Sequence, residues 1–411
     1  MAEHTKIEWA THTFNPWMGC TKVSPACQYC YAERDMDHRY GKVQWGPSGT
    51  RVLTSDANWK KPIVWNMQDH QCMNCGKFSF HTGEHPNEVR SRCCKANAVP
   101  GRPRVFCASL ADVFEDWAGP ISSQDGDSYR RCTNCPWSGL CPILLRSNSP
   151  STTKSVVDCP KCGSATKLQT MNDVRHRLFE LIDATPNLDW LLLTKRPENI
   201  WRMWPLTDGT NEPVGILSRS QRRKNVWLGT SVENQEWAEK RIPELLKCRG
   251  LSPVLFLSCE PLVGGVDLSR VRVRDGEWMN CLDGSLWDAH GPWTGCDEGM
   301  AIDWVIAGGE SGPNARPSHP SWFRSLRDQC LESGVPFHFK QWGEFTGANI
   351  RNVDSSREDR FVELDGTDST KWKICDHGIG TAHMVRIGKS KAGRILDGQT
   401  WDQFPVGYVS E

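Results

Sequence analysis

Six stretches of this chain share one design, and it limits the possible folds more than any other feature. RVFCASLADVFED, DWLLLTKRPENI, NVWLGTSVEN, SPVLFLSCEPL, DWVIAGGESG and VPFHFKQWGE each pass from an apolar run into polar or charged residues. Near-continuous apolar runs suit parallel strands covered on both faces. Helical patterns alternate with them: Val174, Leu178, Leu181 and Ile182 recur at helical spacing, EWAEKRIPELLKC reads as a second helix, and residues 319–334, with Trp322, Phe323 and Leu326, as a third. A strand–helix repeat of this kind predicts an α/β fold, either a barrel or a doubly wound sheet.

In both folds the site lies at the carboxyl ends of the strands. Asp112, Lys195, Arg196, Glu233, Glu260, Glu310 and Lys340 are therefore expected around one mouth, with Ser231, Gly308 and Gly309 beside them. Any single charge of this sort is ordinarily a solvated loop residue or part of a salt-bridged rim. Repetition at several strand ends makes a shared site the stronger expectation. Lys195, Glu233, Glu260 and Lys340 are the candidate catalytic residues. A strand-end Gly-Gly-Glu lets backbone approach a ligand closely while the carboxylate takes an amine.

The segment GCTKVSPACQYCYAE follows the first short strand, within residues 8–18, and places Cys20, Cys27 and Cys30 in C-x6-C-x2-C spacing. Three thiolates can hold three irons of a four-iron cluster and leave the fourth open. The other reading of the spacing is a zinc knuckle with His4, His12 or His38 as fourth ligand. An odd number of cysteines with no apolar leader before them argues against a disulfide.

Nineteen cysteines are many for 411 residues, and several form CxxC pairs, which points to metal in a reducing compartment. Cys132 and Cys135 pair as CTNC, Cys159 and Cys162 as CPKCG, with Cys141 alone between them. A structural zinc ribbon is expected there, with an auxiliary iron–sulfur cluster as its rival. Cys72 and Cys75, followed by Cys93 and Cys94, make a weaker zinc set in which His81 or His85 could replace one cysteine.

Lys plus Arg and Asp plus Glu both number 49, so overall charge gives no pull toward nucleic acid or membrane. No window has the apolar length of a membrane span, and a soluble, cytoplasmic protein is expected. The twenty tryptophans are expected to fill the core or line a groove.

The expected organisation is an N-terminal barrel part over residues 1–66, a cysteine-rich insertion over 67–103 and a barrel strand and loop over 104–125. A ribbon-like insertion follows over 126–170, then the main barrel over 171–346 with an insertion at 265–300, and a C-terminal wrap over 347–411. Residues 42–65 read as loop with an extended piece, and GRILDGQTWDQFP as a turn followed by a capped helical piece.

GCTKVSPACQYCYAE, FCASLADVFED, LLTKRPE, WLGTSVEN, FLSCEPL, WVIAGGESGPNARP, FHFKQWGE and GRILDGQTWD together resemble a phage-associated three-cysteine-motif family of uncharacterised function, itself similar to radical S-adenosylmethionine enzymes. The two cysteine-rich insertions and residues 265–300 are expected to lie outside the shared pattern. The resemblance implies a partial (β/α) TIM-type barrel, a [4Fe-4S] cluster on Cys20, Cys27 and Cys30, and S-adenosyl-L-methionine on the open iron, cleaved reductively to a radical that abstracts hydrogen. It leaves Glu310 and Asp112 as equal candidates for the cofactor amine. Candidate partners are a nucleic-acid substrate and a protein encoded nearby. The competing expectation is a zinc-stabilised nucleic-acid-binding protein without radical chemistry, drawing on the insertions, the Arg222–Lys224 run and tryptophans able to stack on bases.

Overall fold

The structure, a computed structural model, describes residues 4–68, 70–73, 78–79, 98–122, 128–132, 138–141, 166–168, 170–205, 222–292, 300–347, 359–369 and 380–405. The chain has an α/β fold with a seven-stranded parallel sheet. It divides into two compact units, the first of residues 1–5, 10–22 and 31–189, the second of 6–9, 23–30 and 190–411.

In the first unit β1 (His12–Phe14) runs parallel to β2 (Arg104–Cys107), with His12 opposite Val105 and Phe14 opposite Cys107. Every residue of β1 is buried, as is the Val105–Cys107 portion of β2. The segment read as loop with an extended piece contains a strand, Arg51–Leu53, and then helix α1 (Asp56–Trp65). Pro62 inside that helix and the polar SDANWKK stretch hide it from pattern reading. Burial of Trp59 and Trp65 outweighs the cost: Phe14 meets Trp59 edge-on, and the His12 ring stacks on Trp65 at 4.3 Å. Helix α2 (Met171–Asp183) begins at Thr170, whose hydroxyl accepts from the Asp173 amide while the Asp173 carboxylate accepts from the Thr170 amide.

The second unit carries β3 (Asp189–Thr194, from Trp190 on), β4 (Val226–Ser231), β5 (Val254–Cys259), β6 (Trp304–Gly308) and β7 (Phe337–Gln341), adjacent in that order and parallel throughout. Strands β4, β5 and β6 are buried along their whole length. Each buried Leu, Val or Phe contributes about 1.5–3 kcal/mol of transfer free energy. Gly229 in β4 is dictated by its neighbour, since a Cβ there would stand 2.4 Å from the Phe256 ring. Helix α3 (Gln235–Leu246) is capped by Asn234, which accepts from the Trp237 amide. Helix α4 (Pro320–Glu332) has His319 as its cap and Pro320 in its first turn.

One reading for this unit gains detail and another changes. Residues 265–300 hold a four-stranded antiparallel sheet spanning Val271–Arg274 to Gly291–Pro292, built from strands too short to give a period. GRILDGQTWDQFP contains no helix within its described residues. Asp397 and Gly398 have positive φ, the Phe339 amide donates to the Trp401 carbonyl, and Asp402 bridges His338, so the segment lies along β7.

Candidate functional site

The carboxyl ends of the second unit's strands meet the loop that carries Cys27 and Cys30. Pro25 starts a single 3-10 turn, Pro25–Cys27, which leaves its first amides to find partners outside. The Ala26 amide donates to Glu233 Oε1 at 3.4 Å, just past β4. Glu233 Oε2 in turn accepts from Arg241 Nη1 at 2.8 Å, and the same guanidinium nitrogen donates to the Ser231 carbonyl at 2.9 Å. Both side chains are almost wholly buried, at 0% and 2% exposure. A charge at such depth persists only when paired, so Glu233 is tied to Arg241 and to the loop. Expected as a catalytic residue, it sits where it fixes backbone.

A second tie comes from beyond β6. Arg316 donates to both carboxylate oxygens of Glu310 at 2.8 Å, to the Pro25 carbonyl at 3.1 Å and to Gln28 Oε1 at 3.3 Å. Its guanidinium lies 5.4 Å from the centre of the Tyr29 ring. The planar fork suits this simultaneous grip on carboxylate and loop. Glu310 therefore already has a cation against it.

The remaining strand ends form two pairs. Lys195 donates to Ser231 Oγ at 3.0 Å between the ends of β3 and β4. Lys340 stands 3.0 Å from Glu260 Oε1, and Ser258 donates to Glu260 Oε2 at 3.1 Å. The β6–β7 register shifts between Ala307 and Gly308, so Lys340 is the residue passed over. Bulges re-aim side chains beside sites in this way. A Cβ on Gly309 would come within 1.9 Å of the Trp342 carbonyl, so that position must lack a side chain, while one on Gly308 would stand 2.9 Å from the end of the Glu260 side chain, which would have to move aside. Arg196 is mostly buried, its amide turned onto Thr194 Oγ1 at 2.9 Å. Burial pushes the Cys259 thiol well up, which keeps it neutral at the end of β5.

In the first unit, Cys20 follows Gly19, whose positive φ and 2.5 Å Cβ approach to the Thr50 carbonyl admit only glycine. The Cys20 carbonyl accepts from the Gly46 amide at 3.0 Å. Arg51 and Glu115 make a buried two-pronged pair at 2.7 Å, and Arg51 also donates to Thr21 Oγ1 at 2.9 Å. Asp112 is 5% exposed and accepts from the Phe114 amide at 3.0 Å, turning the loop after β2.

Cys20, Cys27 and Cys30 are half-buried and carry thiols rather than disulfides. Ser24 Oγ lies 3.9 Å from Cys27 Sγ. Among the described residues no three His, Cys, Asp or Glu side chains are grouped as a metal site. Of the histidines considered for a zinc knuckle, His12 is wholly buried against Trp65, and its Nδ1 accepts from the His4 amide at 3.3 Å. That makes it a core ring rather than a ligand. Cys72 is buried in a short strand, His70–Cys72. Cys75, His81, His85, Cys93, Cys94, Cys135, Cys159 and Cys162 lie outside the described residues, and Cys132 and Cys141 end strands described in their backbone alone.

Arg316, Arg241 and Gln28 were not singled out by the sequence. Arg316 follows Glu310 by six residues in WVIAGGESGPNARP, and Arg241 lies eight residues, about two helical turns, after Glu233; both spacings were legible signals.

An α/β fold whose strand-end polar residues grip a cysteine-bearing loop defines the class of protein. The chain belongs to the DUF5131 family, proteins of unknown function, whose sequence profile matches residues 4–120 and 153–405. The matched spans run through 67–103 and 265–300, two segments expected to lie outside the shared pattern, and leave out 121–152. No curated protein and no solved structure matches the chain.

Proposed function

We propose that this is a radical S-adenosylmethionine enzyme in which Cys20, Cys27 and Cys30 hold a [4Fe-4S] cluster. The observation that carries the proposal is the double anchoring of the loop bearing Cys27 and Cys30 to strand-end Glu233 and, through Arg316, Glu310. Parallel α/β folds place their chemistry at those strand ends. The three side chains fit such a cluster in kind, being thiols with no disulfide between them. When bound, the cluster would supply the electron that cleaves S-adenosyl-L-methionine for hydrogen abstraction.

The chain's own residues then divide by burial. Glu233 and Arg241 are sealed from solvent and position the loop. Lys195, Glu260 and Lys340 are partly accessible and offer opposite charges to a zwitterionic cofactor or to substrate. Gly309 lets the backbone at Trp342 and Gly343 pack against the end of β6. A reducing compartment, the cytoplasm, suits the thiols. Structural zinc on the insertion cysteines and a protein partner encoded nearby belong to the same proposal.

Anaerobic reconstitution tests it. The full chain is expected to carry about four irons with matching sulfide, the count of a cubane cluster. Under reductant it is expected to convert S-adenosyl-L-methionine to 5′-deoxyadenosine. Triple substitution of Cys20, Cys27 and Cys30 by Ala should abolish both. Unchanged iron and sulfide in that variant would overturn the assignment.

A further inference from the structure

An open cleft of about 440 Å³ in the second unit runs beside Val23, along the end of β3 and the first turns of α3. Its volume falls in the range of small-ligand sites, roughly 300–1,000 Å³. Lys195, Arg196, Lys240 and Arg241 line it, against Glu198 and Glu244. Glu244 is held by Lys247 at 2.6 Å, Arg241 by Glu233 at 2.8 Å and Lys240 by Glu236 at 2.5 Å. With those partners included, cations still outnumber carboxylates around the cleft.

Trp237 lines the same cleft. Arg241 lies 4.1 Å and Lys240 4.7 Å from the centre of its ring. The indole N–H is buried without an acceptor among the described residues. Arg241 is buried and neutralised by Glu233, so Lys195 and Lys240 are the cations within reach of a ligand. Lys240 is 54% exposed and can leave the ring face to another group.

An anion with several acceptor oxygens, carrying a flat ring, matches this combination of cations and indole. We propose that the cleft binds a nucleotide phosphate, from a mononucleotide or from one position of a single strand. It does not rest on the cluster, since no cysteine lines the cleft. Phosphate binding can therefore fail while iron content stands, and the reverse.

The test uses the full chain, as isolated, with a fluorescein-labelled oligothymidylate and with AMP as competitor, read by anisotropy over a salt series. The parent should bind the strand with an affinity that falls with salt. K240Q and K195Q should each weaken binding at least threefold and flatten the log–log salt slope by about 0.7, the contribution of one single-strand phosphate contact. Lys391, exposed on a separate one-turn helix, supplies the control K391Q, which should match the parent. Competition by AMP near the strand's own affinity assigns a mononucleotide; failure of AMP with retained strand binding assigns a polynucleotide. Absence of parent binding, parent-like behaviour of both K240Q and K195Q, or an equal loss in K391Q overturns the proposal.

Discussion

At the scale of single residues, burial separates the cysteines into two chemical kinds. Cys72, Cys107, Cys248, Cys259, Cys281 and Cys330 are buried, whereas Cys20, Cys27 and Cys30 are half-exposed. Burial pushes the Cys248 thiol up to about 12, with Glu244 adding to it, and raises Cys107, Cys259, Cys281 and Cys330 as well. The thiolate is both nucleophile and metal ligand, so these five stay inert at neutral pH and behave as small apolar residues. Alkylation of the native, metal-free chain with iodoacetamide at pH 8, followed by peptide mass mapping, should mark Cys20, Cys27 and Cys30 well before Cys107, Cys248, Cys259, Cys281 or Cys330. Comparable labelling of Cys248 in folded protein would show that its burial is not what governs it. Counting cysteines in the sequence could not make this separation, because a core cysteine and a ligand cysteine are the same letter until a strand or helix buries one of them.

At the scale of elements, the loop of residues 23–30 is held by side chains from two strand ends, and Arg316 is the more informative of the ties. Removing one partner of a fully buried ion pair costs about 3–5 kcal/mol. Arg316 is 22% exposed and Glu310 6%, so water recovers part of that cost. R316Q should therefore lose about 2 kcal/mol by urea unfolding and become more open to proteolysis within residues 23–30. R316K should recover only part of this, because an ammonium cannot grip Glu310 with two parallel bonds. Parent-like stability and cleavage in R316Q would mean that the loop is held some other way. Strands β3 to β6 were legible in sequence because each is a near-continuous apolar run that is largely buried, whereas β7 alternates Phe337 and Phe339 with His338 and Lys340. The polar residues at their ends were legible for the same reason, since the apolar run stops where the strand does. Which partner each one takes was not. Glu233 meets Arg241 only because α3 folds back along β4, and Lys340 is turned by a register shift that no composition signals. Helix α1 was hidden by Pro62, and the antiparallel strands between Val271 and Pro292 by their brevity.

At the scale of the whole molecule, the equal count of acids and bases leaves no net charge near neutrality to drive acid unfolding by self-repulsion. As pH falls, protonation of carboxylates and histidines adds positive charge, and particular buried groups add to the resulting acid sensitivity. Burial, with His4 nearby, lowers the His12 pKa from 6.5 to about 3. The ring is neutral in the folded chain, while the unfolded chain takes up a proton near pH 6.5. The stability that depends on the neutral ring is complete above pH 6.5. It is lost as pH falls toward 3, by about 1.4 kcal/mol per pH unit. The full loss is on the order of 5 kcal/mol, comparable to the entire stability of many domains. His319, lowered mainly by burial, acts in the same direction. Asp397 is held below the usual carboxylate range by Arg324 and Arg327, and its contribution is lost only below about pH 4. The two windows are thus separable. Between pH 6.5 and 4 the melting temperature of the parent should fall steadily. H12F keeps an aromatic ring against Trp65 and removes the titrating nitrogen, at the cost of the bond from the His4 amide. Its melting temperature should start lower at pH 7 and fall more gently over that window, with His319 contributing to the remaining slope. An H12F slope equal to the parent's would show that acid sensitivity arises elsewhere than at this buried ring.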